Sequence, residues 1–290
     1  MSNAVLYVTT VLIWGSTWFA IEFQLGEVAP EVSVVYRYVM ASVILFIWCK
    51  YKRLSLKFKV KTHLWFAALG LLLFCLNYIM TYRAQVHITS ALAAIIFSSM
   101  LWMNLGLARV LFGTRSAPRV ILGACLGIVG IVVIFAPQVE EVTLTDGVFY
   151  GMTLALLGAF SASCGNMVSQ AAQKRRLPVV ESNTWGMFYG ALITASVALA
   201  SGQTFSFDAT FTYIVSLAYL ALFGSVVAFG AYLTLLGRIG AHKAGYATVM
   251  FPVVALLLSM AFEGLRLDAS IVGGTTLVLL GNILVLKRST

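Results

Sequence analysis

Charge is scarce in this chain. Only 10% of its 290 residues are Asp, Glu, Lys or Arg, where an ordinary soluble domain carries about a quarter. With 61% hydrophobic residues and a mean hydropathy of +0.96, a water-soluble globule is excluded. Cysteine is sparse as well. Cys49, Cys75, Cys125 and Cys164 lie inside apolar runs and form no CxxC pair, so neither a disulfide framework nor a metal site is expected. The three histidines, His63, His87 and His242, fall at or beyond the ends of those runs. There is no HExxH, no GxSxG and no Asp in mid-run, and an intramembrane enzyme needs a nucleophile with a base, paired acids or a metal cluster. No catalytic residue, metal or cofactor is expected. The opening Met-Ser-Asn-Ala lacks the basic stretch of a cleaved signal peptide, so the first helix is expected to stay.

What the chain does have is long apolar runs. They fall at about Ala4–Glu22, Val32–Cys49, His63–Tyr82, Thr89–Ala108, Val120–Ala136, Gly147–Gln170, Asn183–Ser201, Phe211–Gly237, Ala244–Phe262 and Ala269–Leu286. Each is near the 20 or so residues a membrane helix requires, and none shows the alternation of a barrel strand. The expectation is an all-α polytopic membrane protein with ten transmembrane helices.

The few charges sort by side. Lys and Arg outnumber Asp and Glu by nine, an excess that in a soluble protein would point to nucleic acid. Here it is topological. Alternate breaks hold Lys50 to Lys61, Arg109 to Arg119, Lys174 to Arg176, Arg238 with Lys243, and Lys287 with Arg288. The opposite breaks hold only Arg83 and Arg266, together with every acid except Glu181. By the positive-inside rule both termini are cytoplasmic, in a cell (inner) membrane, and no nucleic-acid partner is expected.

The chain also repeats itself. Residues 113–134 laid over 264–285, an offset of 151, match Gly113, Arg115, Gly123 and Gly130 to Gly264, Arg266, Gly274 and Gly281. The unit is then five helices, with halves 1–138 and 139–290. An odd number makes the second copy enter the membrane from the other side, the inverted repeat on which many carriers are built.

Several stretches resemble the drug/metabolite transporter superfamily, in its ten-helix members with two EamA-type domains. Leu12-Ile-Trp-Gly-Ser-Thr-Trp-Phe-Ala-Ile21 is similar to that family's opening Trp-Gly-Ser motif. Tyr36-Arg37-Tyr38 resembles its Phe-Arg-Phe pattern, Tyr82 to Ala94 its turn into the fourth helix, and Ala244 to Pro252 the matching helix of the second half. The resemblance covers the whole chain and is strongest to the YddG-type exporters of aromatic and other amino acids. The sequence departs from the family where Ser99 stands opposite Pro252 and where Gly113-Thr-Arg115 and Gly264-Leu-Arg266 replace Gly-Glu-Arg.

Polar and aromatic side chains at mid-membrane are the candidates for a substrate path. Trp14 and Trp18 stand four apart on the first helix; Asn77, Tyr78 and Tyr82 lie on the third; Ser98, Ser99 and Trp102 on the fourth; Ser163 and Asn166 on the sixth. The serines read equally well as packing contacts, and Trp18 and Tyr82 as members of an aromatic belt. Arg37, near the outer end of the second helix, is expected to find a partner among Glu22, Glu27 and Glu31 and to serve as an anchor rather than a substrate contact. Pro252 should kink the ninth helix and free a carbonyl. Gly123, Gly127 and Gly158 mark close helix packing.

The resemblance implies amino acids as small-molecule cargo and a central cavity, exposed alternately as two halves rock. Glu22 apart, no acid lies within a run, so facilitated diffusion or exchange without proton coupling is expected. The competing readings are another cargo, such as a cationic drug or a nucleotide sugar, and a lipid scramblase or helical scaffold. In the bilayer a monomer or weak homo-oligomer is expected.

Overall fold

The computed structural model describes residues 1–140, 145–254 and 269–286, and every regular element among them is helical. Helix α1 spans Asn3–Glu22 and α2 Pro30–Tyr51. Next come α3 (Val60–Leu69), a π-helical stretch (Gly70–Leu76) and α4 (Asn77–Gln85), which together run as one rod. Helices α5 (Ser90–Phe97) and α6 (Met100–Phe112) follow, then α7 (Pro118–Glu140), α8 (Asp146–Lys174) and α9 (Val179–Ala200). A second broken rod is built from α10 (Phe211–Tyr219), a π stretch (Leu220–Val227) and α11 (Ala228–Ile239). One turn, α12 (Ala241–Ala244), leads into a 3-10 stretch (Gly245–Met250), and α13 covers Ala269–Leu286. Among the described residues, six stretches are long and apolar enough to cross a membrane: Asn3–Glu22, Pro30–Tyr51, Val60–Gln85, Leu92–Phe112, Asp146–Lys174 and Phe211–Ile239. The spans predicted over Val120–Ala136 and Ala269–Leu286 meet the shorter apolar helices Pro118–Ile134 and Ala269–Val285, and that over Asn183–Ser201 meets α9. The span predicted over Ala244–Phe262 runs beyond Val254 outside the described residues, where Gly264 and Arg266 also lie.

Helix ends are set by side chains that take up orphan amides. Ser2, Thr89, Thr145 and Thr210 each accept from a backbone N–H three residues on, as N-caps do. Helix α6 stops at Gly113, whose φ of +65° lets its own N–H and that of Thr114 return to the carbonyls of Arg109 and Ala108.

Glycine decides how closely the rods approach. A Cβ on Gly70 would fall 2.7 Å from the Gly186 carbonyl oxygen and the Gly190 nitrogen, so the first π stretch and α9 touch backbone to backbone. One on Gly158 would sit 3.3 Å from the Asn77 carbonyl oxygen, where α8 crosses α4. Helices α7 and α13 meet through Gly123 against Gly281 and Gly130 against Gly274. At the 151-residue offset Gly123 corresponds to Gly274 and Gly130 to Gly281. The two contacts therefore exchange partners, the pattern a two-fold axis imposes. Gly127 completes that seam: it leaves space for the Tyr246 hydroxyl, whose one proton is shared between the carbonyls of Gly123 and Val278, each at 3.2 Å.

The breaks gather at two ends. Gly26, Glu31, Arg83, His87, Tyr150 and Thr204 share one depression. At the other end Arg238 donates to the Met1 carbonyl at 2.9 Å, Lys174 lies over Phe112 and Arg175 over Trp65. Apolar helices, with polar breaks collected at both ends, are what lipid demands of a chain whose backbone bonds must close internally.

Candidate functional site

Between the rods lies an aromatic cavity. Trp14, Thr17, Trp18 and Ile21 enter it from α1; Leu73, Asn77, Tyr78 and Thr81 from the first broken rod; Phe97 and Met100 from α5 and α6; Ala162 and Asn166 from α8; Phe229 and Tyr232 from α11; and Phe251 from beyond the 3-10 stretch. Its free space is about 50 Å³, enough for a few waters at roughly 10–15 Å³ each. The rings close on one another: Trp14 is 4.7 Å from Phe229, 5.0 Å from Tyr232 and 5.8 Å from Phe251, and Trp18 is 5.3 Å from Phe97. Tilted and edge-to-face pairs of this kind are favourable by about 0.5–1.5 kcal/mol each.

Polar groups are few and buried. Asn166 Nδ2 donates to the Tyr232 hydroxyl at 3.0 Å and to Asn104 Oδ1 at 3.3 Å. Ser163 Oγ donates to the same Asn104 oxygen at 2.7 Å. Asn166 Oδ1 and Asn104 Nδ2 have no partner, so the network has one acceptor and one donor to spare. On the facing rod Asn77 Nδ2 donates to the Leu73 carbonyl, and the Thr81 hydroxyl contacts Asn77 Oδ1. Such a site can bury a planar or apolar group among rings and hold a small polar group by the amides.

The residues singled out in the sequence divide. Trp14, Trp18, Asn77, Tyr78 and Asn166 line the cavity. Ser163 stands behind Asn166, through Asn104. Tyr82 is buried outside the lining and takes a bond from Arg37. Trp102 lies outside the cavity lining, 39% exposed on the outside of α6. Ser99 Oγ is buried without a partner. Pro252 is buried and lacks the N–H that would reach back to the Thr248 carbonyl. That oxygen accepts from the Phe251 N–H instead, and Ser98 Oγ, 3.0 Å from the Ala94 carbonyl, shares its proton with it at 3.3 Å.

Arg37 departs from expectation. Glu31 pairs with Arg83, and the fully buried Arg37 donates to Ser225 Oγ and the hydroxyls of Tyr82 and Tyr78. Sequence reading missed Phe229, Tyr232 and Phe251, the rings that the second half adds to the cavity beside Asn166. Their signal was the i, i+3 spacing of Phe229 and Tyr232, hidden in a run that is apolar on every face.

A model of the EamA-like transporter family matches residues 1–136 and again 149–287, nearly the whole chain in two copies. The chain belongs to the EamA-like transporter family. This EamA-like transporter is 27% identical to "Uncharacterized inner membrane transporter YedA" of Escherichia coli (strain K12), over 87% of the chain and 80% of that relative. It is 25% identical to "Probable amino-acid metabolite efflux pump" of the same strain, over 98% of the chain and 92% of the relative. A solved crystal structure superposes with a TM-score of 0.78, covering 98% of this chain and 96% of that one at 16% identity, a likeness of fold. Apolar helices and inner-membrane relatives make the EamA-like transporter a membrane protein.

Proposed function

We propose that this transporter exports amino acids, aromatic and other neutral ones among them, through ten membrane helices arranged as two inverted five-helix halves with both termini in the cytoplasm. The observation that carries the reading is the cavity itself, in which Trp14 of the first half meets Phe229, Tyr232 and Phe251 of the second beside the spare acceptor of Asn166. A relative named as an amino-acid metabolite efflux pump supports the cargo. The partner-exchanging glycines of α7 and α13 and the π stretches at 70–76 and 220–227, near the same 151-residue offset, support the repeat. The bond between Arg238 and Met1 puts the N-terminus at a basic end of the molecule, which supports the orientation. With only a few waters' worth of space, the cavity must expand to admit a side chain, as alternating access requires.

The site residues proposed are Trp14, Trp18, Asn77, Tyr78 and Asn166 at the cargo, with Tyr82, Ser98, Ser99 and Ser163 in support. Among the described residues no carboxylate lines the cavity, which disfavours a cationic drug and supports transport without proton coupling. Purified protein in liposomes should exchange labelled phenylalanine and tryptophan down their gradients, with and without a pH difference. Lipid scrambling in the absence of amino-acid flux would defeat the reading. Uphill accumulation driven by a proton gradient alone would defeat its energetics.

A further inference from the structure

Arg37 carries a charge that its surroundings do not balance. Its guanidinium is fully buried, and taking such an ion out of water costs several kcal/mol unless an opposite charge offsets it. The nearby acids do not. Glu31 is committed to Arg83, Glu22 and Glu27 are exposed, and among the described residues no carboxylate forms an ion pair with Arg37.

The neutral groups around it hold one edge firmly and the other loosely. Nε donates to Ser225 Oγ at 2.9 Å. Nη1 reaches the Tyr82 hydroxyl at 3.3 Å and Nη2 the Tyr78 hydroxyl at 3.4 Å, both beyond the roughly 2.7–3.2 Å of a well-formed N–H···O bond. A guanidinium has five hydrogens to give. Three are placed here, and a second hydrogen on each of Nη1 and Nη2 meets no acceptor among the described residues. The under-used part is the two-pronged end from which a carboxylate accepts in bidentate fashion.

That end lies one side-chain layer behind the cavity wall. Tyr78 lines the cavity and also covers the guanidinium, 4.5 Å from its ring centre. A Cβ on Gly224 would lie 2.9 Å from Cγ2 of Thr17, another wall residue, and 3.0 Å from Arg37 Nη2. Only glycine leaves both in place.

We propose that Arg37 is the carboxylate site of this transporter: as the cavity opens around a solute, the Tyr78 and Tyr82 hydroxyls give way and the Nη1–Nη2 end takes the solute's carboxylate, supplying the missing negative charge. The proposal deepens the amino-acid reading and rests on it for the remainder of the solute. Ser225 is the positioning residue that keeps the guanidinium facing the cavity. Amines, amides and esters of the same shape lack the anion and leave the buried charge unbalanced, so the site discriminates by charge before it discriminates by side chain.

The test uses four ligands with one ring: phenylalanine, phenylalaninamide, phenylacetate and phenethylamine, each competing with labelled tryptophan for wild-type protein in liposomes. Phenylalanine and phenylacetate should compete at least tenfold better than the amide and the amine. In Arg37→Gln that difference should vanish, and Arg37→Lys, which keeps the charge without the fork, should retain part of it. The wild-type ligand series needs no variant, so a misfolded Arg37→Gln does not blunt the result. Equal competition by phenylalanine and phenylalaninamide overturns the assignment while amino-acid transport stands. Saturable uptake of labelled phenylacetate without uptake of either amino acid sinks the amino-acid reading and leaves Arg37 in place. Failure of all four ligands removes both.

Discussion

Trp14 and Gly224 stand 210 positions apart in the chain, and the indole Nε1 of the first donates to the backbone carbonyl of the second at 2.9 Å. Gly224 lies in the second π stretch, and π turns are a recurrent way to present backbone to a functional site. The bond ties the first helix to the second broken rod while the same indole packs on Phe229, Tyr232 and Phe251. Structural tie and cavity wall are one side chain.

Trp14→Phe keeps a ring and loses the donor. A net hydrogen bond is worth about 0.5–1.5 kcal/mol, so transport of aromatic amino acids should fall by about two- to tenfold, 1.4 kcal/mol being a factor of ten. Trp14→Ala loses the rings as well and should fall further. Initial rates in liposomes, scaled to protein inserted, measure both; a Phe variant as poor as Ala would show that the bond matters more than the rings.

Ser98 and Pro252 should behave as a pair. Ser98→Ala removes one of two donors to the Thr248 carbonyl, the other being the Phe251 N–H, so its cost should stay below the roughly 1–3 kcal/mol of a buried polar group left wholly unpaired. Pro252→Ala restores a backbone N–H that can reach the same oxygen. A double-mutant cycle on thermal stability in detergent should therefore show the double variant more stable than the two single losses predict. Strict additivity would disprove the link.

Two glycines offer an internal control. Gly123→Ala sets a methyl 2.6 Å from the Gly281 carbonyl oxygen, and overpacking of this kind costs about 1–3 kcal/mol. A methyl on Gly106, inside α6, meets nothing within 4 Å, and Gly106→Ala should gain roughly 0.5–1 kcal/mol from helix propensity. Melting temperatures should move in opposite directions.

Glu31 and Arg83 are unequal partners: the carboxylate is 1% exposed and the guanidinium 40%. Removing Arg83 strands a buried anion, whereas Glu31→Gln leaves a cation that water already reaches. Arg83→Ala should be the more destabilising, by about 1–3 kcal/mol, when both are melted at neutral pH.

Trp102→Ala removes a side chain that faces outward from α6. Its transport rate should match the wild type within a factor of two, while Phe97, at the end of α5 on the cavity side, should not tolerate the same change. A large loss at Trp102 would mean that the resting cavity differs from the one that binds cargo.

The contrast between Trp102 and Phe97 marks what the sequence by itself determined. Hydropathy and charge are properties of position along the chain. They located the apolar helices and the polar breaks, because burying a run in lipid depends on its composition and length, and the internal repeat picked out the glycines at which α7 meets α13. They did not determine which way each helix turns. A helix with lipid on one side and other helices on the other is apolar all round, so Trp102 and Phe97 look alike in sequence. Packing alone turned Phe229, Tyr232 and Phe251 inward. Tertiary structure also took Glu31 for Arg83 and left Arg37 among tyrosines, because the nearest acid in sequence is not the acid within reach once the helices are stacked.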